Sequence, residues 1–204
     1  MLVAIAIFMI LAFTSLLIRT RSSKTNKINQ EEAQSFWERE QESNSVRKKD
    51  ISNLPYITVP LDELPFHNSE DSSIIRYQDS IKRIAERKIL NLSTQSNTDL
   101  KLNYGVANLP FLMDCDVSYT ELIKTLQQWG KALLDSNQID DAKTVLEFAV
   151  TCKTDIAVSY TLLGDIYAKQ HNKEKIQSLL EVAKTINSPN QSNTVHYLEQ
   201  LLSS

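Results

Sequence analysis

The pattern of apolar and polar positions divides the chain into stretches of different character. Leu2 to Ile18 is apolar throughout, with only the hydroxyls of Thr14 and Ser15 interrupting it. Seventeen helical residues reach about 26 Å, near the short end of what a bilayer core requires. Residues 19–50 are polar and rich in good helix formers, and Phe36 and Trp37 stand out in them as an aromatic pair. From residue 51 prolines recur at 55, 60 and 65 among Leu, Ile, Val, Tyr and Phe, which predicts an extended apolar arm over 51–71. Beyond it the three- and four-residue steps of an amphipathic helix take over. They run through Ile74, Ile75, Tyr77, Ile81, Ile84, Ala85, Ile89 and Leu92, and Ser72 or Ser73 offers a start cap.

A second helix is expected from Thr98 through Leu109, stopped near Pro110, which makes 72–113 a degenerate helical hairpin. Residues 118–190 then carry self-similarity at a spacing of 34. Leu126, Trp129, Gly130 and Leu133 lead to Ala142, Leu146 and Ala149, and Tyr160, Leu163, Gly164 and Tyr167 lead to Ile176, Leu180 and Ala183. A glycine in the first helix of each unit lets the second approach closely. Turns are expected near Asn137 and His171, and 191–204 closes the array as a capping helix with Val195, Leu198, Leu201 and Leu202 on one face. The expected class is all-α: an N-terminal transmembrane helix over 1–18, a basic collar and polar stalk over 19–50, the arm, then the helix array.

Charge gives the anchor a direction. Arg19, Arg21, Lys24 and Lys27 follow the apolar run, and residues 1–27 hold no acid. Positive flanks stay cytoplasmic, so the C-terminal part is expected inside a single-pass cell membrane protein that meets the bilayer through residues 2–18. The competing reading is a cleaved signal peptide, but Met1 alone is no positive n-region and Ala12 with Thr14 makes a poor cleavage pair. The whole chain's net charge of −3 argues against nucleic acid as main partner. Without the collar, 18 Lys and Arg face 25 Asp and Glu, a net of −7, so the remainder is not expected to lie flat on an anionic leaflet, whereas the collar can.

The chemistry that composition permits is narrow. Gly105, Gly130 and Gly164 make no phosphate-cradling loop, and two cysteines with three scattered histidines make no zinc site. In a cytoplasmic domain Cys115 and Cys152 are expected as free thiols. His171 and His196 are expected at the surface, and Asp114, Asp116, Asp140 and Asp141 near helix starts. No catalytic set, cofactor or metal is expected, and the chain does not read as an enzyme.

The 34-residue units resemble the tetratricopeptide (TPR) repeat, whose signature is W-x2-L-G-x2-Y…A-x3-F…P. The second unit matches better, with Tyr160 in the Trp place and Pro189 beyond; the first has Trp129 one slot late. The stretches 47–52, 56–66, 88–92 and 97–109 are also similar to single-span bacterial membrane proteins with a C-terminal TPR-like domain and no assigned activity. The resemblance implies a concave surface for a protein or peptide partner. It would be lined by Lys124, Gln127, Lys131 and Leu134 from one unit and Val158, Thr161, Asp165 and Ala168 from the next. The two-lysine, two-asparagine clamp for a terminal carboxylate is missing, because Gln127 and Lys131 stand where Lys and Asn are required. The arm offers Leu54, Tyr56, Ile57, Val59, Leu61, Leu64 and Phe66 either to its own domain or to a partner. Two functions follow: a membrane-tethered adaptor, or a structural subunit of a membrane complex held through the arm. A third places the domain outside the cell as an envelope-facing binding module.

Overall fold

The computed structural model describes residues 32–203, and all regular structure among them is helical. The expected anchor over 1–18 lies outside the described residues; among those described, no helix is long and apolar enough to cross a membrane. Contacts divide the chain into two units. Of the described residues, the first holds 32–49 and Asn97–Ala107, the second Asp50–Ser96 and 108–203.

In the first unit, residues 32–45 form α1 and Asn97–Tyr104 form α3. Polar contacts tie them. Thr98 Oγ1 donates to Glu40 at 2.7 Å, Arg39 pairs with Asp99 at 2.5 Å, and Lys101 bonds both Glu40 and Asn44. The Lys101 and Thr98 hydrogen bonds hold the Glu40 carboxyl below its usual range. A lowered folded-state pKa stabilises above the unfolded value and is lost as pH falls through the folded one. Protection of the α3 amides against hydrogen exchange is therefore expected to fall as pH drops below about 4.3, the ordinary glutamate range. In Glu40→Gln that acid step should be missing. Residues 46–49 run against the end of α3, with Lys49 N–H donating to Tyr104 O at 3.0 Å and Val106 N–H to Val46 O at 3.3 Å.

The second unit is built from α2 (Ser72–Ala85), α4 (Leu109–Asp135), α5 (Ile139–Thr151), α6 (Ala157–Lys169), α7 (Lys173–Ala183) and α8 (Gln191–Ser203). α2 packs on α4, α4 on α5, α5 on α6, and α6 also meets α4, α7 and α8. A helix with four neighbours needs apolar residues on most sides: α6 buries Tyr160, Leu163, Ile166 and Tyr167, and Leu162 and Ala168 pack against the core on either side of them. The α4–α5 and α6–α7 turns repeat one geometry 34 residues apart. Asn137 and His171 take φ of 60° and 54°, and the next amide bonds back to the carbonyl five residues earlier, Gln138 to Leu133 and Asn172 to Tyr167. This is the Schellman closure, which satisfies carbonyls left open at a helix end. Lys153, at φ 58°, ends α5 the same way. His171 is exposed and pays the left-handed penalty of a side chain. His171→Gly is expected to stabilise by about 0.5–1 kcal/mol in urea unfolding.

Several expectations are corrected here. The 72–113 hairpin does not form: α2 packs on α4, whereas α3 belongs with α1 in the other unit. Pro110 does not stop a helix but opens one. Its fixed φ and missing donor suit the first turn of α4, while α3 ends at Gly105, φ 89°. Asp71, not Ser72 or Ser73, caps α2, accepting from Ser73 N–H at 2.7 Å. The two glycines differ as well. A Cβ on Gly130 would come within 2.7 Å of Leu146 on α5, as a close pair requires. On Gly164 it would meet Leu198 of α8 at 2.7 Å, with Leu179 of α7 only at 4.0 Å, so this glycine admits the C-terminal helix. Gly130→Ala is expected to cost about 1–3 kcal/mol, since Leu146 is fully buried and has little room to yield.

Candidate functional site

The eight residues implied as a concave surface do not present a continuous open face. Lys124, Lys131 and Val158 are exposed, but Lys131 is bonded to Asp135 at 2.7 Å. Gln127 and Thr161 are half-buried, and Leu134 and Ala168 pack against the core. Asp165 accepts from Tyr197 Oη of α8 at 2.6 Å. That bond, and then burial, push the Tyr197 phenol up to about 12.

The arm is extended and lies on its own unit. Val59 and Leu64 are buried, Phe66 stands 5.3 Å from the ring of Trp129, and Ile57 N–H donates to Ile89 O at 2.9 Å. Gln78 of α2 reaches over to donate to the carbonyl of His67 at 3.1 Å. Lys88 lies 5.0 Å from the Tyr56 ring centre, Leu54 is half-buried, and Leu61 is exposed. The residues best suited to grip a partner are thus mostly engaged at home.

An opening is found elsewhere in the second unit. A cleft of about 380 Å³ is bounded by Pro55 and Ile57 of the arm, Leu90 to Thr94, the α5–α6 turn, and Thr185 to Asn187 beyond α7. That volume falls at the lower end of ligand pockets. Its backbone is fixed from behind by two tyrosines. Tyr119 Oη donates to Lys153 O at 2.9 Å and accepts from Asn91 Nδ2 at 2.8 Å, and Tyr160 Oη donates to Thr154 O at 2.9 Å. Burial raises both phenols, so they stay neutral donors. A smaller depression of about 290 Å³ lies among α5, α6 and α7, where Tyr167 Oη donates to Glu147 at 2.5 Å and Lys175 reaches the same oxygen at 3.4 Å.

Both thiols are free and buried. Burial pushes Cys152 up to about 12 and also raises Cys115, with Asp114 adding to it, so neither is a thiolate near neutrality. Iodoacetamide is expected to modify Cys115 and Cys152 at pH 8 only at the rate of unfolding; fast modification of the folded chain would contradict the burial. His171 and His196 lie at the surface, and among the described residues no group of three or more His, Cys, Asp or Glu is placed to hold a metal.

Sequence reasoning did not find the cleft, because its wall comes from four segments with no shared motif. Fold and site together define an all-α, helical-repeat-like protein with an open cleft at its interhelical turns. No protein-family model matches the chain, and neither a curated protein nor a solved structure matches it.

Proposed function

We propose that the protein is a membrane-anchored adaptor whose helical array binds a protein or peptide partner. The anchor over 2–18 sets the location, in a single pass, and the collar of Arg19, Arg21, Lys24 and Lys27 keeps the array on the cytoplasmic side. The observation that carries this reading is the 34-residue recurrence of the Asn137 and His171 turns with Gly130 and Gly164, a TPR-like plan, together with a cleft in the same unit that no described residue fills. Such arrays serve as extended binding surfaces. We assign the cleft no catalytic role: Cys152, which lines it, is held protonated by burial, and Tyr119 and Tyr160 behind it are engaged in structural hydrogen bonds.

The alternative, a structural subunit held through the arm, is disfavoured by one specific observation. Val59 and Leu64 are buried in the unit's own core, and Phe66 packs on Trp129, so the arm has little apolar surface left to give. The two readings part in a simple experiment. An adaptor predicts that the 28–204 fragment is soluble and monomeric by light scattering. A fragment that aggregates, or whose arm is cut rapidly between 51 and 66 by protease, overturns the adaptor in favour of the subunit. Topology is read separately with a cysteine appended after Ser204 in a Cys115→Ser, Cys152→Ser background. An impermeant maleimide should label it only after lysis; labelling of intact cells would place the domain in the envelope instead.

A further inference from the structure

The adaptor reading leaves the ligand's chemistry open, and the cleft narrows it. Two helices end at its rim: α5 stops at Thr151 and α7 at Ala183, and the residues just past each end line the opening. The carboxyl end of a helix carries a partial negative charge, most often offset by a basic side chain in the last turn. Neither α5 nor α7 has one in its last turn, and Lys184, the residue that caps α7, is paired with Glu181 at 2.9 Å. Asp155 adds a full negative charge, is exposed, and forms no ion pair among the described residues. The one cation in the lining is Lys153, exposed and likewise unpaired there. The surrounding unit carries 13 Lys and Arg against 19 Asp and Glu, a net of −6.

Other lining residues bring different chemistry. Pro55, Ile57, Leu90 and Ile186 give the cleft an apolar side. At the mouth, Thr94 and Asn187 are exposed and their side chains make no hydrogen bond within the described residues, which leaves them for a ligand's main chain.

Resting on the adaptor reading, we propose that this cleft, rather than the concave surface, is the peptide seat, and that it takes an extended segment presenting a basic side chain next to an apolar one. The ammonium or guanidinium lies against Asp155 and the ends of α5 and α7. The apolar side chain lies against Ile57, Leu90 and Ile186, and the peptide backbone meets Asn187 and Thr94. Acidic peptides are excluded by the same charges.

The test uses the full chain in a zwitterionic detergent and fluorescein-labelled acetyl-Gly-Lys-Ile-Arg-Gly-amide, followed by anisotropy. The comparison peptide carries Glu in place of Lys and Arg. Saturable binding of the basic peptide alone is expected, weakened about tenfold by Asp155→Lys and tightened a few-fold by Lys153→Gln. Both positions are exposed, so the melting curves of the variants should overlay the parent. Equal binding of the two peptides, or indifference to Asp155→Lys, overturns the cleft assignment. Binding that responds to Lys124→Glu and Lys131→Glu but not to Asp155→Lys overturns it too, while leaving the adaptor intact. The adaptor itself is tested separately, through the solution state of the 28–204 fragment.

Discussion

Trp129→Ala is expected to destabilise the protein by about 3–5 kcal/mol. Trp129 is fully buried in α4, in the cluster that joins α2, the arm and α5. Its ring meets Phe66, so truncation opens a cavity and leaves the arm's last aromatic without its neighbour. For a unit of this size the thermal midpoint should drop by roughly 6–20 °C. The chain's other tryptophan supplies the control. Trp37 is 67% exposed on α1 and touches Phe36 edge-on at 5.5 Å. Trp37→Ala should move the midpoint by no more than about 0.5 kcal/mol allows. Near-UV circular dichroism on the two variants separates the cases; similar losses would mean that the arm does not seat on Trp129.

Gly105→Ala is the second large effect, and it is local. Gly105 has φ 89°, which costs any side chain about 1–2 kcal/mol. An added Cβ would also land on the Arg47 carbonyl and the Lys48 Cα, all backbone atoms and not the yielding tip of a side chain. Overpacking of that kind costs a further 1–3 kcal/mol or so. The expected result is loss of the crossing of 46–49 over the end of α3, read as faster hydrogen exchange at the Lys49 and Val106 amides. The amides of α6 should keep their protection. Unchanged exchange at Lys49 would show that the close crossing is not what holds the first unit.

The contrast between these two sites shows what sequence could and could not convey. Gly130, Gly164, Leu146, Leu180, Ala149 and Ala183 announce a repeating helix pair because their spacing is a local property of one continuous stretch. The same spacing located the turns at Asn137 and His171. The periodic pattern of Ile74, Ile81 and Ile84 equally announced α2. It could not say which helix receives that face, since period carries no address; α3 was nearest in sequence, and α4 is the partner. Pro110 was misleading for a related reason: proline disfavours a helix interior but suits its first turn, so its meaning depends on where the chain has just bent. Here Gly105 had already bent it. Gly164 signals a close approach, yet only the folded chain shows that the approaching helix is α8. The cleft was invisible because Ile57, Leu90, Asp155 and Asn187 become neighbours only after four segments are folded together.

The central claim is that the helical array recruits a partner at the membrane. It is tested most directly by placing a photo-crosslinking amino acid, one site at a time, in the full-length chain in living cells. Thr94 and Asn187 report on the mouth of the cleft, Lys124 and Val158 on the exposed part of the concave surface, and Glu42 on the exposed side of α1. The account predicts a discrete adduct of one size at Thr94 and Asn187, lost on Asp155→Lys, with none at Glu42. Irradiation that yields no adduct at Thr94, Asn187, Lys124 or Val158, in cells where the protein is present in the membrane fraction, would contradict it.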